Sequence, residues 1–186
     1  MLQEESLHEE KEIGKVLAVL YVELGDPSYI DKLAQSSSKD LVLFRIGEAL
    51  RDYHSLVNKG FENESVAELA SSIDFQKVER YLSKIKAIDS VKELREAISL
   101  ATSYALAEAA RLRSREAYLA AKSVLTYLSQ KGLLKGLKSA QDIRKIVEEK
   151  IDEVSRELTI PKERILDVLK DERLVERLLS KIEVKE

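Results

Sequence analysis

Basic side chains are concentrated in one segment of the chain, and the chemistry open to them is the binding of phosphate. Residues 111–145 hold nine Lys and Arg against two acidic residues, whereas the whole chain of 186 residues has a formal net charge of −3. Arginine forms forked hydrogen bonds to phosphate oxygens, and lysine supplies a point charge. This segregation of positive charge in an acidic chain predicts contact with a polyanion.

The first half of this segment places its polar residues at helical spacing. Arg111, Arg115, Tyr118 and Lys122 follow one another at i, i+4, i+7 and i+11. On a helix these positions share one face. Arg111 and Arg115 would be separated by about 6 Å along the axis, close to the repeat of an extended nucleic-acid backbone. Tyr118 offers a ring for stacking on a base or a hydroxyl for phosphate.

Three further lysines follow on a short link that contains Gly132 and Gly136. We expect this link to be flexible, so that Lys131, Lys135 and Lys138 follow the same polyanion without a fixed register. The alternative interpretation is that all these cations merely balance the acidic remainder of the molecule. The scarcity of interleaved acids favours the polyanion, because solvated faces of charged proteins usually alternate in sign.

The sequence contains no catalytic or metal-binding signature. The chain has no cysteine, which excludes disulfides, thiolate nucleophiles and Cys-ligated metal sites. Its two histidines, His8 and His54, have no second nitrogen ligand nearby in the sequence. Motifs for phosphate loops, hydrolase nucleophiles and zinc proteases are missing. We therefore predict a protein that is not an enzyme, with no catalytic residue, no metal site and no cofactor.

The elements that must position the basic residues are all helices. The chain has two Pro and six Gly, and its Ala, Leu, Glu and Lys content favours helix. Amphipathic patterns and helix breakers predict helices at residues 9–24, 28–39 (in part), 40–58, 65–72, 75–87, 90–130, 139–158 and 162–169, and a last one to about 182. The first of these carries its apolar residues on one stripe that ends at Leu24. The fold class is therefore all-α: a helical bundle with one long central helix and a small helical C-terminal unit.

The glycine-bearing link is the predicted boundary between domains. The predicted parts are a helical bundle at residues 1–130, a basic link at 131–138 and a small helical C-terminal unit at 139–186. Within the last part, Glu153–Leu169 has the form of a helix-turn-helix, with Arg164 and Lys170 on its second helix. Acidic residues beside these bases would repel phosphate. A packing or protein-contact role is favoured there over the reading of DNA.

Composition also indicates a compartment. The longest apolar run near the start, Val16–Val22, is too short to span a bilayer, and the Glu-rich residues before it are unlike a signal peptide. We expect a cytoplasmic protein with no membrane partner. Two Asn and five Gln accompany 65 charged residues, a bias typical of thermophilic proteins.

Three segments resemble the small subunit of archaeal type I-A CRISPR effector (Cascade) complexes. They are ELGDPSYIDKLAQ (23–35), LFRIGEALRDYHSL (43–56) and VERYLSKIKAIDSVKELREAISLATSYAL (78–106), within a resemblance that covers residues 13–130. The resemblance implies a helical, non-enzymatic protein, several copies of which line the path of the guide RNA and target DNA. In such complexes base pairing reads the sequence, and the protein supplies shape and charge. The helices after residue 138 have no counterpart in the resemblance.

Two functions from different classes remain open at this stage. The first is a subunit of a CRISPR interference ribonucleoprotein that binds the target or displaced DNA strand, with guide RNA and other effector subunits as partners. The second is a helical scaffold or adaptor that mediates protein–protein assembly only. In that case the acidic N-terminal helix of one copy could meet the basic stripe of the next, which would give head-to-tail self-stacking.

Overall fold

The computed structural model describes residues 2–137 and 139–182, with side chains from residue 9 onward. The helices in these residues are α1 (Leu2–Leu24), α2 (Ser28–Ala34), α3 (Lys39–Lys59), α4 (Glu64–Ser71), α5 (Phe75–Ala87), α6 (Val91–Gln130), α7 (Ala140–Glu149), α8 (Ile151–Leu158), α9 (Lys162–Val168) and α10 (Glu172–Lys181). The described residues contain no strand. The predicted all-α fold with one long helix is confirmed.

Most helices begin where the sequence supplies a capping side chain. The side chains that accept a hydrogen bond from a first-turn N–H are Ser38, Asn63, Asp74, Ser90, Ser139 and Asp171. These bonds satisfy backbone donors that have no partner within the helix. Because such caps are local, the predicted bounds of α5 and of the C-terminal end of α6 agree with those observed.

The helix predicted at residues 139–158 is divided in two at Lys150. The Lys150 N–H is shared between the carbonyls of Ile146 and Val147, at 3.1 and 3.2 Å, and the residue has φ −114° and ψ 22°. This geometry ends α7, and α8 begins at the next residue. No Gly or Pro lies there, so the break has no local signal in the sequence.

The chain forms two compact units, Met1–Arg113 and Ser114–Glu186. The boundary therefore lies inside α6 and not at the link 131–138 where the sequence analysis placed it. The physical reason is that Leu134 of the link is 1% exposed and belongs to the core of the second unit. The residues of α6 before it, such as Leu125 and Leu128, are buried in that same core.

In the first unit, α1 is the central helix. From Glu12 to Leu20 every residue except Lys15 is buried, because α2, α3, α4 and α5 all pack against it. The prediction of one apolar stripe on this helix was therefore too narrow, since the other sides of the helix are buried as well. Leu24, at the end of the predicted stripe, is exposed. A Cβ atom on Gly14 would lie 2.6 Å from Cβ of Tyr104 on α6. Glycine at this position allows the two helices to approach closely.

Two carboxylates are buried along α1. An oxygen of Glu12 accepts a hydrogen bond from the N–H of Asp74 at 2.9 Å. The side chain of Glu10 is completely buried, and Lys84 Nζ lies 3.0 Å from its Oε1. The nearby Tyr81 hydroxyl donates its one proton to the carbonyl of Ala97 at 3.1 Å, and Glu10 Oε2 accepts no hydrogen bond from the described residues. Burial raises the pKa of Glu10 to about 7, against the opposing effect of Lys84.

The second unit is built from the end of α6 together with α7, α8, α9 and α10. Its core is aliphatic, and its fully buried large side chains are Leu125, Leu128, Leu134, Ile143, Ile165 and Leu169. The hydroxyl of Tyr127 donates to Glu153 of α8 at 2.9 Å. Desolvation, and then this hydrogen bond, raise the pKa of Tyr127. Among the described helices of either unit, none combines the length and the apolar character needed to cross a membrane.

Candidate nucleic-acid interface

The part of α6 that belongs to the second unit has an exposed face that carries positive charge. Its exposed residues are Arg115, Leu119, Lys122, Ser123 and Thr126, which we call the cationic face. They are spaced three or four residues apart, with Ser123 directly beside Lys122, so they share one side of the helix over about 16 Å. The opposite side is buried in the core of the unit. Folding therefore leaves this face to solvent or to a ligand.

The cationic face contains no acidic residue, and the nearest acid in the sequence of α6 pairs with a cation of a later helix. Residues 114–130 contain one acid, Glu116. Its Oε2 forms an ion pair with Arg164 of α9 at 2.9 Å. Lys122 forms no ion pair with any residue that the structure describes. Glu116 is thus paired with a cation of a later helix, and the positive charge of Lys122 has no ion-pair partner among the described residues.

Arg111, the first residue of the predicted stripe, belongs to the first unit and pairs with an acid there. It forms an ion pair with Glu108, one turn earlier on α6, whose carboxylate is almost fully buried. The next arginine, Arg113, lies over the ring of Tyr21 with its guanidinium carbon 4.1 Å from the ring centre, within the range of a cation–π contact. Both cations thus have partners inside the first unit, and the contact between Arg113 and Tyr21 joins residues too distant in the sequence for a local pattern to reveal it.

Tyr118 is half-buried and packs against the core of the second unit. Its ring is therefore in part a packing element, whereas the sequence analysis assigned it to base stacking. Leu119, by contrast, is an apolar residue that does not pack: its side chain is 44% exposed between Arg115 and Lys122.

The link after α6 is a hydrogen-bonded turn rather than the flexible segment that was predicted. The Leu133 N–H donates to the carbonyl of Leu128 at 2.9 Å, and Gly132 has φ 72°. This is the pattern by which a left-handed glycine ends a helix. Buried Leu134 then anchors the turn in the core. The backbone at Lys131 therefore has a defined place in the second unit.

The lysines of the link differ in their surroundings. Lys131 Nζ lies 5.8 Å from the ring centre of Tyr127. Lys135 is exposed and forms no ion pair within the described part of the chain. Lys138 lies outside the described residues. Lys131 and Lys135 remain candidates for phosphate contact in addition to the cationic face.

The two compact units carry net charges of opposite sign, whereas the prediction from the sequence concerned one segment, residues 111–145. The second unit holds sixteen Lys and Arg against fourteen Asp and Glu, a net charge of +2. The first unit holds fifteen against twenty, a net charge of −5. Net charge therefore favours the second unit over the first for the long-range attraction of a polyanion.

The helix-turn-helix predicted in Glu153–Leu169 is formed by α8 and α9. Thr159 in the turn has φ 56°, a left-handed backbone that is unusual for a β-branched residue. Arg164 of α9 pairs with Glu116 at 2.9 Å, and Lys170, which was predicted on this helix but lies just after it, is 4.0 Å from Asp167. This leaves less free charge for DNA here than on the cationic face.

The described residues offer no metal site. No group of three or more His, Asp or Glu side chains in them could hold a metal ion. His54 is exposed, and its ring centre lies 5.4 Å from that of Phe75 and 5.6 Å from that of Tyr53. His8 lies outside the described side chains.

Sequence reasoning missed two hydroxyl groups on the cationic face. Ser123 and Thr126 are exposed, next to Lys122 and one turn beyond it. A hydroxyl donates a hydrogen bond to a phosphate oxygen regardless of the base sequence. The helical spacing of Arg115, Lys122 and Thr126 could have revealed this signal, because Thr126 continues the same stripe at i+11 from Arg115.

The chain is 50% identical over 101 residues to an uncharacterized protein of Archaeoglobus fulgidus, and these residues are 54% of this chain and 87% of that protein. No family model matches the chain. No solved structure matches it either.

Proposed function

This chain belongs to the same family as the uncharacterized Archaeoglobus fulgidus protein, and we propose that it is a non-enzymatic small subunit of a CRISPR interference ribonucleoprotein that binds nucleic-acid backbone. The observation that carries the proposal is the cationic face of the second unit, which is exposed and free of acidic residues. The resemblance of residues 23–35, 43–56 and 78–106 to the small subunits supports the choice of complex. The target or displaced DNA strand is the ligand, and guide RNA and other effector subunits are the remaining partners.

The spacing on the cationic face suits the backbone of an extended strand. Arg115 and Lys122 lie about 10 Å apart along the helix axis, and Lys122 and Thr126 about 6 Å apart. Phosphate contacts at these places hold a strand without reading its bases. Such a protein steadies an opened duplex, while base pairing with the guide supplies the specificity. Because each copy offers few contacts, several copies in one complex would add the affinity that one copy lacks.

The test is the binding of a fluorescent single-stranded oligonucleotide by the full chain at several salt concentrations. The Lys122→Gln variant removes one phosphate contact, so the slope of log K against log salt becomes shallower by about 0.7. The affinity should fall by a similar factor for different base sequences. Lys170→Gln is the matched control, since it removes one exposed lysine of the same unit that already lies beside Asp167.

Two results would contradict the proposal. One is a Lys122→Gln variant that binds the oligonucleotide with unchanged affinity and salt dependence. The other is an equal loss in Lys122→Gln and Lys170→Gln, which would indicate general attraction to the unit rather than contact at the cationic face. In the assembled complex, the double variant Arg115→Glu, Lys122→Glu should lose retention of single-stranded DNA while assembly stays intact.

A second candidate function, protein–protein assembly alone, is favoured by an uncharged exposed face on α6 in the first unit. From Ser99 to Ala110 the one charged residue is Glu108, which is buried. Leu106 is 53% exposed and Leu100 is 36% exposed on the same stretch. A partner that covers this stretch would bury apolar surface without having to desolvate an exposed charge of the stretch.

The two functions can be distinguished by introducing a charge on each of the two faces of α6 in turn. Leu106→Glu should prevent assembly and leave the affinity of the free protein for single-stranded DNA unchanged. Loss of assembly in Arg115→Glu, Lys122→Glu with unchanged DNA binding would favour the scaffold.

A further inference from the structure

The first unit contains a surface pocket of about 410 Å³ between the α2–α3 loop and the first three turns of α6. Its loop side includes Gln35 and Ser37, and its α6 side includes Leu94, Arg95, Ile98 and Ser99. A volume in this range suits a single small organic ligand. The pocket lies in the opposite unit from the cationic face and is independent of it.

Arg95 is the one charged residue that lines this pocket. It is exposed and forms no ion pair with any residue in the described part of the chain. The chain has 34 acidic residues, yet none lines the pocket. An anionic group that entered the pocket would therefore meet a guanidinium and no repelling carboxylate.

The remaining lining has an apolar floor and a polar rim. Leu94 and Ile98 are 6% and 5% exposed and are held by the core of the first unit. They form a firm aliphatic floor, and Val91, which also lines the pocket and is 65% exposed, adds the apolar surface that a flat ligand group can cover. The amide of Gln35 and the hydroxyls of Ser37 and Ser99 lie around this floor, and they can donate to or accept from heteroatoms at the edge of a ring.

We infer that this pocket binds a nucleotide, with its base on Leu94 and Ile98 and its phosphate at Arg95. A nucleotide uses three properties of the lining together, which are an apolar floor, hydrogen-bonding groups around that floor and a single cation. A simple inorganic anion would not use the floor, and a fatty acid would not use the amide and hydroxyl groups. The nucleotide is either a free nucleoside monophosphate or an unpaired nucleotide of a DNA strand, since both have the same chemistry.

The experiment is a calorimetric and NMR titration of the full chain with the four deoxynucleoside monophosphates, inorganic phosphate and an oligothymidylate. Arg95→Gln should weaken nucleotide binding about tenfold, the loss expected for one charge-assisted contact. Ser99→Glu places a carboxylate in the pocket and should abolish binding. Arg80→Gln on α5 is the matched control, because Arg80 is an exposed arginine of the same unit outside the pocket, and it should bind like the wild type.

The outcomes distinguish a free nucleotide from a nucleotide within a strand. They also distinguish this inference from the proposed function of the cationic face. Monophosphate binding that Arg95→Gln weakens identifies a free nucleotide. If the monophosphates do not bind, oligothymidylate binding that Arg95→Gln weakens and Arg80→Gln leaves unchanged identifies a nucleotide within a strand. Equal affinity for inorganic phosphate and nucleotides overturns the inference, as does binding that Arg95→Gln and Ser99→Glu leave unchanged, or no binding at all. Lys122→Gln tests the cationic face separately, because monophosphate binding in the first unit should not change in that variant.

Discussion

Replacement of Glu10 by Gln should change how the stability of the protein depends on pH. The carboxylate of Glu10 is completely buried, and Lys84 Nζ at 3.0 Å is its ion-pair partner. Burial outweighs this attraction and raises the pKa to about 7, from an ordinary value of 4.5. Ionised Glu10 is thus less favourable in the folded chain than in the unfolded chain. A glutamine resembles the protonated carboxyl at every pH.

The sign and the magnitude follow from linkage. Between pH 4.5 and about 7 the folded chain keeps a proton on Glu10 that the unfolded chain has lost, so the free energy of unfolding falls as the pH rises. The two pKa values differ by about 2.5 units, and each unit corresponds to about 1.4 kcal/mol. The wild type should therefore lose on the order of 3 kcal/mol across this range from Glu10 alone. Glu10→Gln should not lose it, and at pH 8 should be the more stable protein.

The assay is urea denaturation followed by circular dichroism at several pH values from 4.5 to 8. The informative quantity is the difference between Glu10→Gln and the wild type, because the other titrating groups cancel in it. Glu79→Gln removes an exposed carboxylate of α5 and serves as the control. The reasoning would be refuted if the curves of Glu10→Gln and the wild type ran parallel, or if the variant lost stability relative to the wild type as the pH rose.

Three further substitutions test the packing and the backbone by urea denaturation. Gly14→Ala should cost about 1–3 kcal/mol, because its Cβ would lie 2.6 Å from Cβ of Tyr104, and an unchanged stability would contradict the close approach of α1 and α6. Gly47→Ala, within α3 with nothing inside 4 Å of the added Cβ, should instead stabilise the protein by about 0.5–1 kcal/mol. Thr159→Gly should stabilise the second unit by roughly 1 kcal/mol, because Thr159 holds a left-handed φ of 56°, and a loss of stability would show that its side chain contributes more than the strain costs.

The candidate site could be predicted from the sequence in part. The excess of positive charge in residues 111–145 and the helical spacing of Arg115 and Lys122 are sequence properties, and the structure exposes both residues on one face. The pairing of Arg111 with buried Glu108 is a contact between neighbours on one helix, and the i, i+3 spacing could have indicated it. The pairing of Glu116 with Arg164 joins residues 48 positions apart. No local pattern reveals such a contact.

The sequence by itself determined the class of the fold and most ends of its helices, because propensity, caps and breakers act within a few residues. Tertiary structure alone decided that α6 contributes to two cores and that the units separate at Arg113. It also decided that α1 is buried from Glu12 to Leu20, with the exception of Lys15. Burial depends on which surfaces remote segments cover, and that choice is made by the free energy of the whole packed chain rather than by any one of its segments.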